Sequence, residues 1–191
     1  MPNTQTATHT QDFWSKLIVK KNVDLPDLPQ KYRSDDGSFL IGLVKEYAQD
    51  LSEGDAEIFD DKWITAQTID GAVFAYPDVD QYFNLVNRDN YGSAKDIDAK
   101  TFGLIASLMN YSIASFQFQT LNPELSHIMG NNYHILRNSF YSLLDVALYP
   151  DEIRETGDEL QKERLALFAN ITKEQIAGLS HISDGIYSIT N

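Results

Sequence analysis

The chain has no cysteine among its 191 residues, and this absence excludes several kinds of chemistry. Disulfides, thiolate nucleophiles and cysteine-ligated zinc all require that side chain, and a cysteine-free chain fits a reducing compartment. No apolar run approaches the roughly 20 residues that cross a bilayer, and residues 1–11 are polar, without the basic start and apolar run of a secretory signal. We therefore expect a cytoplasmic protein that makes no contact with a membrane.

Basic residues are scarce. Lysine and arginine number 15 against 28 aspartates and glutamates, which gives a net charge of −13. Binding to a phosphate backbone needs cationic contacts, so nucleic acid is not an expected direct ligand. The same charge favours a basic partner, such as the DNA-binding groove of another protein, through electrostatic steering. The alternative reading is that the charge serves solubility alone.

Motifs of catalysis and metal binding are also missing from the sequence. There is no His-Glu-x-x-His pair, no Gly-x-Ser-x-Gly elbow and no phosphate-binding glycine loop. His127 and His134 are seven residues apart but have no matching carboxylate. The segment 78–80, Asp-Val-Asp, lacks the glycine and terminal glutamate of an EF-hand loop, so it predicts a turn. We expect no catalytic residue, metal or cofactor; a hidden carboxylate-pair hydrolase is the enzymatic alternative.

The first half of the chain predicts a helix followed by β-structure. Apolar residues at three-and-four spacing favour a helix over 38–51, with Asp36 or Ser38 as N-cap and Gly54 at its end. Two β-rich runs, 63–69 and 72–76, flank Asp70-Gly71, a pair typical of tight hairpin turns. A third run at 82–87 is expected to extend the hairpin into an antiparallel meander.

The second half predicts helices. One begins after Asp96 or Asp98 and has apolar positions from Phe102 to Phe116; another begins at Pro123 and ends before Pro150. Two short helices are expected beyond, with Thr172 capping the last. Before residue 38 we expect a short helix from Phe13 to Ile18 and an extended lead-in. The predicted fold is α+β: a small antiparallel β-meander packed against several helices, with a C-terminal helical extension. Its predicted parts are a flexible tail (1–11), a lead-in (12–37), the α+β core (38–148) and the extension (149–191).

Four sequence motifs occur in an order that resembles the ArdB/KlcA antirestriction family. The hairpin Lys62-Trp63-Ile64 to Pro77 resembles that family's Trp-bearing hairpin, and the aliphatic, Asn and Gly residues of 84–92 fall in register. The helix from Gly103 to Phe116 is similar to the family's central helix, and residues 133–138 resemble its Tyr-His-aliphatic-Leu-Arg motif. The resemblance covers about residues 39–148. It departs at Ile113, where the family has His, and at residues 43–46, where it has a Trp-Met-Asp-Arg-like helix. The matching residues that we expect to be structural are Trp63, Gly71, Pro77, Gly103, Tyr133, His134 and Arg137.

Membership of that family would imply a protein of plasmids, phages or integrated elements that protects incoming DNA from type I restriction in a bacterial host. The expected partner is a host defence complex, most directly the type I restriction enzyme. A second hypothesis is an acidic DNA mimic of another DNA-binding complex, such as a CRISPR effector. A third is an oligomeric structural or regulatory module, with a possible homodimer formed through the helices after Pro150.

Two acidic segments are the candidate partner-binding surface, because rows of carboxylates can occupy a phosphate-binding groove. The alternative reading is that both are solvated faces. In the second segment, three-and-four spacing would align the carboxylates if the helix were continuous, although Gly157 interrupts it. The first segment contains Asp50, Glu53, Asp55, Glu57, Asp60 and Asp61, and the second contains Glu152, Glu155, Glu159 and Glu163.

Trp63 and Arg137 also have structural readings. We expect Trp63 to anchor the core beneath the hairpin and Arg137 to make an ion pair within the protein.

Overall fold

The computed structural model describes residues 13–52, 62–89, 91–168 and 173–190. They form an α+β fold in which helices pack around two small antiparallel sheets, so the predicted fold class is confirmed. The strands are β1 (Ile18–Lys21), β2 (Trp63–Thr68), β3 (Val73–Pro77), β4 (Tyr82–Asn87) and β5 (Gly92–Asp98). The helices are α1 (residues 13–17), α2 (Ser38–Leu51), α3 (Ala99–Leu121), α4 (Pro123–Leu148), α5 (Pro150–Thr156), α6 (Glu159–Leu165) and α7 (Lys173–Thr190). Single 3₁₀ turns occur at Gln30–Tyr32 and Ala166–Phe168.

The predicted hairpin is present as β2 and β3. Its turn is one residue longer than a two-residue turn: Gly71 donates its N–H to the Thr68 carbonyl, and Thr68 donates to the carbonyl of Ala72 (2.7 Å). Only Gly71 in this turn has a positive φ, +90°, a conformation that glycine adopts without steric cost. On the other side of β2, β1 adds a third antiparallel strand, giving the sheet order β1-β2-β3.

The third β-run does not extend this sheet. β4 pairs instead with β5 in a separate two-stranded sheet, so the predicted meander of 63–69, 72–76 and 82–87 is wrong in its last member. Within β5 the buried residues Ala94 and Ile97 are three apart, because the register shifts between them opposite Asn84. A β-bulge of this kind breaks the period of two by which strands are found in sequences.

Helix α2 has the predicted bounds, but its N-cap differs from the prediction. The N-cap is Gly37, in the left-handed conformation, and Asp36 accepts a hydrogen bond from the Ser38 N–H (3.0 Å). The buried positions are Leu40, Val44, Ala48 and Leu51, and the half-buried Phe39, Leu43 and Tyr47 pack beside them. Gly54 and Thr172, the other expected helix-end residues, lie outside the described residues.

Helix α3 begins at the predicted cap. The Asp98 carboxylate accepts hydrogen bonds from the N–H groups of Lys100 and Thr101 and from the Thr101 hydroxyl. Burial is nearly continuous from Ala99 to Tyr111, but the last turns are open to solvent. Phe116, predicted on the apolar stripe, is 75% exposed.

The C-terminal region contains more helix than predicted. Pro150 ends α4 but also begins α5, at a position where a missing N–H costs nothing. In the described part of this region three helices follow α4 in place of the two short ones predicted, and the last has 18 residues. α7 packs against β5, α3 and α4. The predicted division into lead-in, core and extension stays a prediction.

Aromatic residues near the start of the described chain complete the core. The ring of Phe13 lies 5.7 Å from that of Phe140, and the ring of Trp14 lies 5.9 Å from that of Phe74. The helix here ends at Leu17, so the predicted helical Ile18 belongs to β1. The expected extended lead-in contains a turn, in which the Leu28 N–H donates to the Leu25 carbonyl.

Candidate functional site

The residues of the central helix that resemble the antirestriction family line the contact between α3 and β3. Gly103, Ser107 and Tyr111 are spaced one turn apart and meet β3 residues from Tyr76 to Val73. The Ala75 N–H donates to the Ser107 hydroxyl (3.1 Å), and the Tyr111 hydroxyl donates to the Val73 carbonyl (2.5 Å). β3 is the last strand of its sheet, so these two side chains satisfy backbone groups that its free edge leaves without a strand partner.

The close approach of α3 to β3 explains the glycine at position 103. A Cβ there would overlap the Tyr76 backbone and Cβ and the Ala75 carbonyl oxygen. Backbone cannot move aside as the end of a flexible side chain can, so only glycine fits this crossing. The resembling motif therefore defines how one helix packs on one strand.

The hairpin residues that match the family are also structural. Trp63 is 6% exposed and its ring lies 6.1 Å from that of Phe102, which confirms the expected core anchor. Phe102 in turn stacks on Phe83 of β4 at 4.5 Å, so it joins the two sheets. Pro77 is paired with Trp63 at the open end of the hairpin.

The Tyr-His-aliphatic-Leu-Arg motif, residues 133–138 of α4, is partly exposed at the surface. His134 and Arg137 are exposed on α4, whereas Tyr133 is half-buried and packs edge-on against His134 at 5.3 Å. The Arg137 guanidinium lies over the Tyr141 ring at 5.4 Å. Arg137 makes no ion pair with any described residue, so the predicted ion pair is wrong for this part of the chain. Its guanidinium makes the cation–π contact with Tyr141 instead.

The first acidic segment is described only at its beginning. Asp50 is exposed in the last turn of α2. Glu53, Asp55, Glu57, Asp60 and Asp61 lie outside the described residues. Burial raises the pKa of nearby Tyr47, and the carboxylates of Asp89 and Asp50 raise it further. A role of this segment in partner binding stays a prediction.

The second acidic segment does not form a continuous ridge. α5 ends at Thr156, Gly157 is extended, and Asp158 starts α6 with a capping box in which Gln161 is the reciprocal partner. Glu152 and Glu155 are therefore on one helix and Glu159 and Glu163 on the next; all four are exposed. The helix is thus interrupted at Gly157, as the glycine indicates, and the condition for one aligned row is not met. Burial raises the pKa of Asp145, and the Glu152 charge adds to the rise.

One charged contact was not predicted from the sequence. Arg164 of α6 is buried and donates hydrogen bonds to the Ser142 hydroxyl (2.7 Å) and to the carboxylate of Asp70 in the hairpin turn. Nothing in the local pattern distinguishes Arg164 from the exposed Arg154, whose partner Asp151 is on the same helix. The contact depends on elements far apart in the chain.

The remaining candidates are a metal site, the Asp-Val-Asp segment and a membrane-spanning helix. Among residues 13–52, 62–89, 91–168 and 173–190, no group of three or more His, Cys, Asp or Glu side chains is placed to hold a metal ion. Asp78 follows β3 as predicted for a turn and pairs with Lys62 at 3.6 Å. No helix in these ranges is both long and apolar enough to cross a membrane.

Comparison with known proteins does not add a family assignment. The chain matches no model of a known protein family, and a search of the curated proteins gives no significant match.

Proposed function

We propose that this protein is a non-enzymatic inhibitor of a bacterial DNA-targeting defence, carried by a mobile element, and that its target is a type I restriction enzyme. The observation that carries the proposal is the contact of Gly103, Ser107 and Tyr111 with β3. These residues belong to the helix that resembles the antirestriction family. A resemblance at positions that determine helix–strand packing favours a shared fold more strongly than one at surface positions, where substitution is nearly free.

The charge of the protein supports an inhibitor that acts by binding. A net charge of −13 attracts the basic surfaces with which restriction enzymes hold DNA, and it raises the association rate at low salt. Asp50, Glu152, Glu155 and Glu159 present exposed carboxylates to such a partner. In this mechanism, the inhibitor covers the DNA-binding surface of its partner and needs no catalytic chemistry of its own.

A phage plating test separates this function from its alternatives. Unmodified phage is plated on a restricting host that expresses the protein, on the same host without it, and on an isogenic host that lacks the restriction enzyme. We expect the restricting host that expresses the protein to plate the phage more efficiently than the same host without it. We expect the protein to make no difference in the host that lacks the restriction enzyme. If the protein does not raise the plating efficiency on the restricting host, the proposal is contradicted.

Direct binding is tested with the purified restriction enzyme. The protein is immobilised, and association is measured across a range of salt concentrations. We expect binding that weakens as salt rises, because surface charges are screened. Pull-down from a host lysate then distinguishes a restriction enzyme from a CRISPR effector. Capture of a CRISPR effector and not of the restriction enzyme contradicts the proposed target.

A further inference from the structure

The apolar stripe of α3 continues beyond the part of the helix that the fold covers. One face of the helix carries, at helical spacing, Phe102, Met109, Ile113 and Phe116. Phe102 is fully buried and stacks on Phe83 of β4 at 4.5 Å. Met109 and Ile113 are half-buried, and Phe116 is 75% exposed. The stripe is therefore completed by the fold at its beginning and left open at its end.

The open end of α3 is apolar and uncharged. Leu121, the last residue of the helix, is 84% exposed. The exposed side chains between it and Phe116 are Gln117, Gln119 and Thr120. Amides and hydroxyls both donate and accept hydrogen bonds, so each of them can pair with a copy of itself. Two large apolar side chains surrounded by such groups form a surface that is able to contact its own copy.

Acidic charge is almost absent from this part of the chain. Residues 99–144, which include α3 and most of α4, contain one of the 28 acidic residues, Glu124. Their basic residues are Lys100 and Arg137. Two basic residues and one acidic residue give this segment a formal charge of +1, so the rest of the chain carries −14. The α3–α4 pair is thus a nearly neutral region of a strongly acidic protein.

This distribution of charge indicates which partner fits the open end of α3. A basic partner is attracted by the acidic remainder of the protein and not by a neutral surface. A twofold dimer places one patch against its own copy, so a patch of high net charge would repel itself. Two copies of this acidic chain therefore approach each other most easily at the neutral surface. Aromatic side chains with few aspartates, glutamates and lysines are also the composition typical of interface cores.

We propose that the end of α3, from Ile113 to Leu121, is the contact surface of a symmetric homodimer in which Phe116 and Leu121 are buried between the two copies. This places the contact on α3 and not on the helices after Pro150. The dimer does not use the acidic segments, and it is independent of the proposed inhibition.

Sedimentation equilibrium of the full chain tests for the dimer. We expect the average mass to rise toward twice that of the chain as the protein concentration increases. We also expect the dimer to become tighter as salt rises, because salt screens the repulsion between two chains of charge −13. Binding to the restriction enzyme has the opposite expected salt dependence, so the two proposals can fail separately. A chain that stays monomeric up to about 100 μM overturns this one.

Matched substitutions locate the contact. Phe116→Asp is expected to weaken the dimer at least about hundredfold, because each dimer loses two buried rings and gains two facing carboxylates. Leu160→Asp adds the same charge to α6 at a position that is 52% exposed, and it is expected to dimerise as the wild type. Circular dichroism checks that both variants are folded; if Phe116→Asp is not, Leu121→Asp takes its place. A dimer that survives the substitution in α3, or that Leu160→Asp weakens equally, overturns the placement.

The absence of cysteine allows a second test of the placement. Thr120→Cys introduces a single thiol on the proposed contact surface, and Leu160→Cys introduces one outside it; both positions are exposed. A short bis-maleimide linker is expected to join two Thr120→Cys chains in much higher yield than two Leu160→Cys chains. Equal yields from the two variants overturn the placement of the contact on α3.

Discussion

The guanidinium of Arg164 lies against the carboxylate of Asp70 and joins α6 to the turn between β2 and β3. The Arg164 side chain is 6% exposed and that of Asp70 is 28% exposed. Since Ser142 accepts a second hydrogen bond, the same guanidinium also contacts α4. One side chain therefore connects three elements that are distant in the sequence.

Replacing Arg164 with alanine is expected to destabilise the protein strongly. Removing one partner of a fully buried ion pair costs about 3–5 kcal/mol, and we expect about 2–4 kcal/mol here because Asp70 keeps some contact with water. Urea denaturation measures the change in the free energy of unfolding. The control is Arg154→Ala, whose pair with Asp151 is largely exposed and worth less than about 1 kcal/mol. Equal, small losses in the two variants would contradict the role given to Arg164.

Gly103→Ala and Gly42→Ala are the same substitution in two helices, with opposite expected effects. At position 103 the new methyl group meets the backbone of β3, so we expect a loss of about 2 kcal/mol or more. At position 42, in α2, no atom lies within 4 Å of an added Cβ. Alanine there favours the helix, with an expected gain of about 0.5–1 kcal/mol. Thermal and urea denaturation measure both; a stabilised Gly103→Ala protein would show that α3 does not approach β3 so closely.

Tyr111 makes stability depend on alkaline pH. Burial raises its pKa well above the ordinary value of 10, so the folded state holds the phenol proton more firmly than the unfolded state. This contribution is complete below about pH 10 and declines as the pH rises above that value. Unfolding free energy should therefore fall above pH 10, and less steeply in Tyr111→Phe.

The same variant is expected to lose about 1–3 kcal/mol at neutral pH, because the Val73 carbonyl loses its partner. Tyr76 and Tyr47 also have raised pKa values, so some alkaline loss should remain in Tyr111→Phe. An unchanged pH profile would exclude Tyr111 as a source of the effect.

Charge reversal tests whether the acidic segments mimic DNA. Lysine at positions 55, 57, 60 and 61, in place of Asp55, Glu57, Asp60 and Asp61, is expected to abolish inhibition of restriction in the plating assay. The matched variant reverses Glu152, Glu155, Glu159 and Glu163, with the same change in net charge. We expect a smaller loss there, because those carboxylates are divided between two helices. Full activity in the first variant would exclude mimicry by that segment.

A chain that ends at Leu148 is expected not to reach the native fold. Phe168, Leu179 and Ile186 are buried, so removing them exposes core surface on β5 and α3. Truncation is therefore unsuited to testing whether this region forms a homodimer. Leu160→Ser is the better variant, since Leu160 is 52% exposed. Size-exclusion chromatography and circular dichroism should show an unfolded or aggregated truncation and a folded Leu160→Ser protein.

Elements with strong local signals could be predicted closely. The bounds of α2, the Asp98 cap and the first-turn position of Pro123 agree with the structure, because apolar periodicity, capping and the missing proline N–H act within a few residues. The β2–β3 hairpin could be predicted for the same reason, because the Asp70-Gly71 turn signal and the two flanking β-rich runs are close together in the chain.

Pairings that depend on distant parts of the chain could not be predicted. β5 has few β-forming residues and a bulge, so its sequence does not resemble a strand until β4 is beside it. α7 contains glycine at position 185, which weakens a helical pattern, yet an added Cβ there would lie 2.8 Å from Ile97 Cδ1.

The packing of α7 on β5 has a consequence for synthesis. Ile97 and Ala94 face Gly185, a residue made long after them. During translation the part of the β4–β5 sheet around Ala94 and Ile97 stays uncovered until residues 173–190 have been made. A nascent chain stalled before α7 should therefore recruit chaperones that bind exposed apolar segments, whereas the released protein should not.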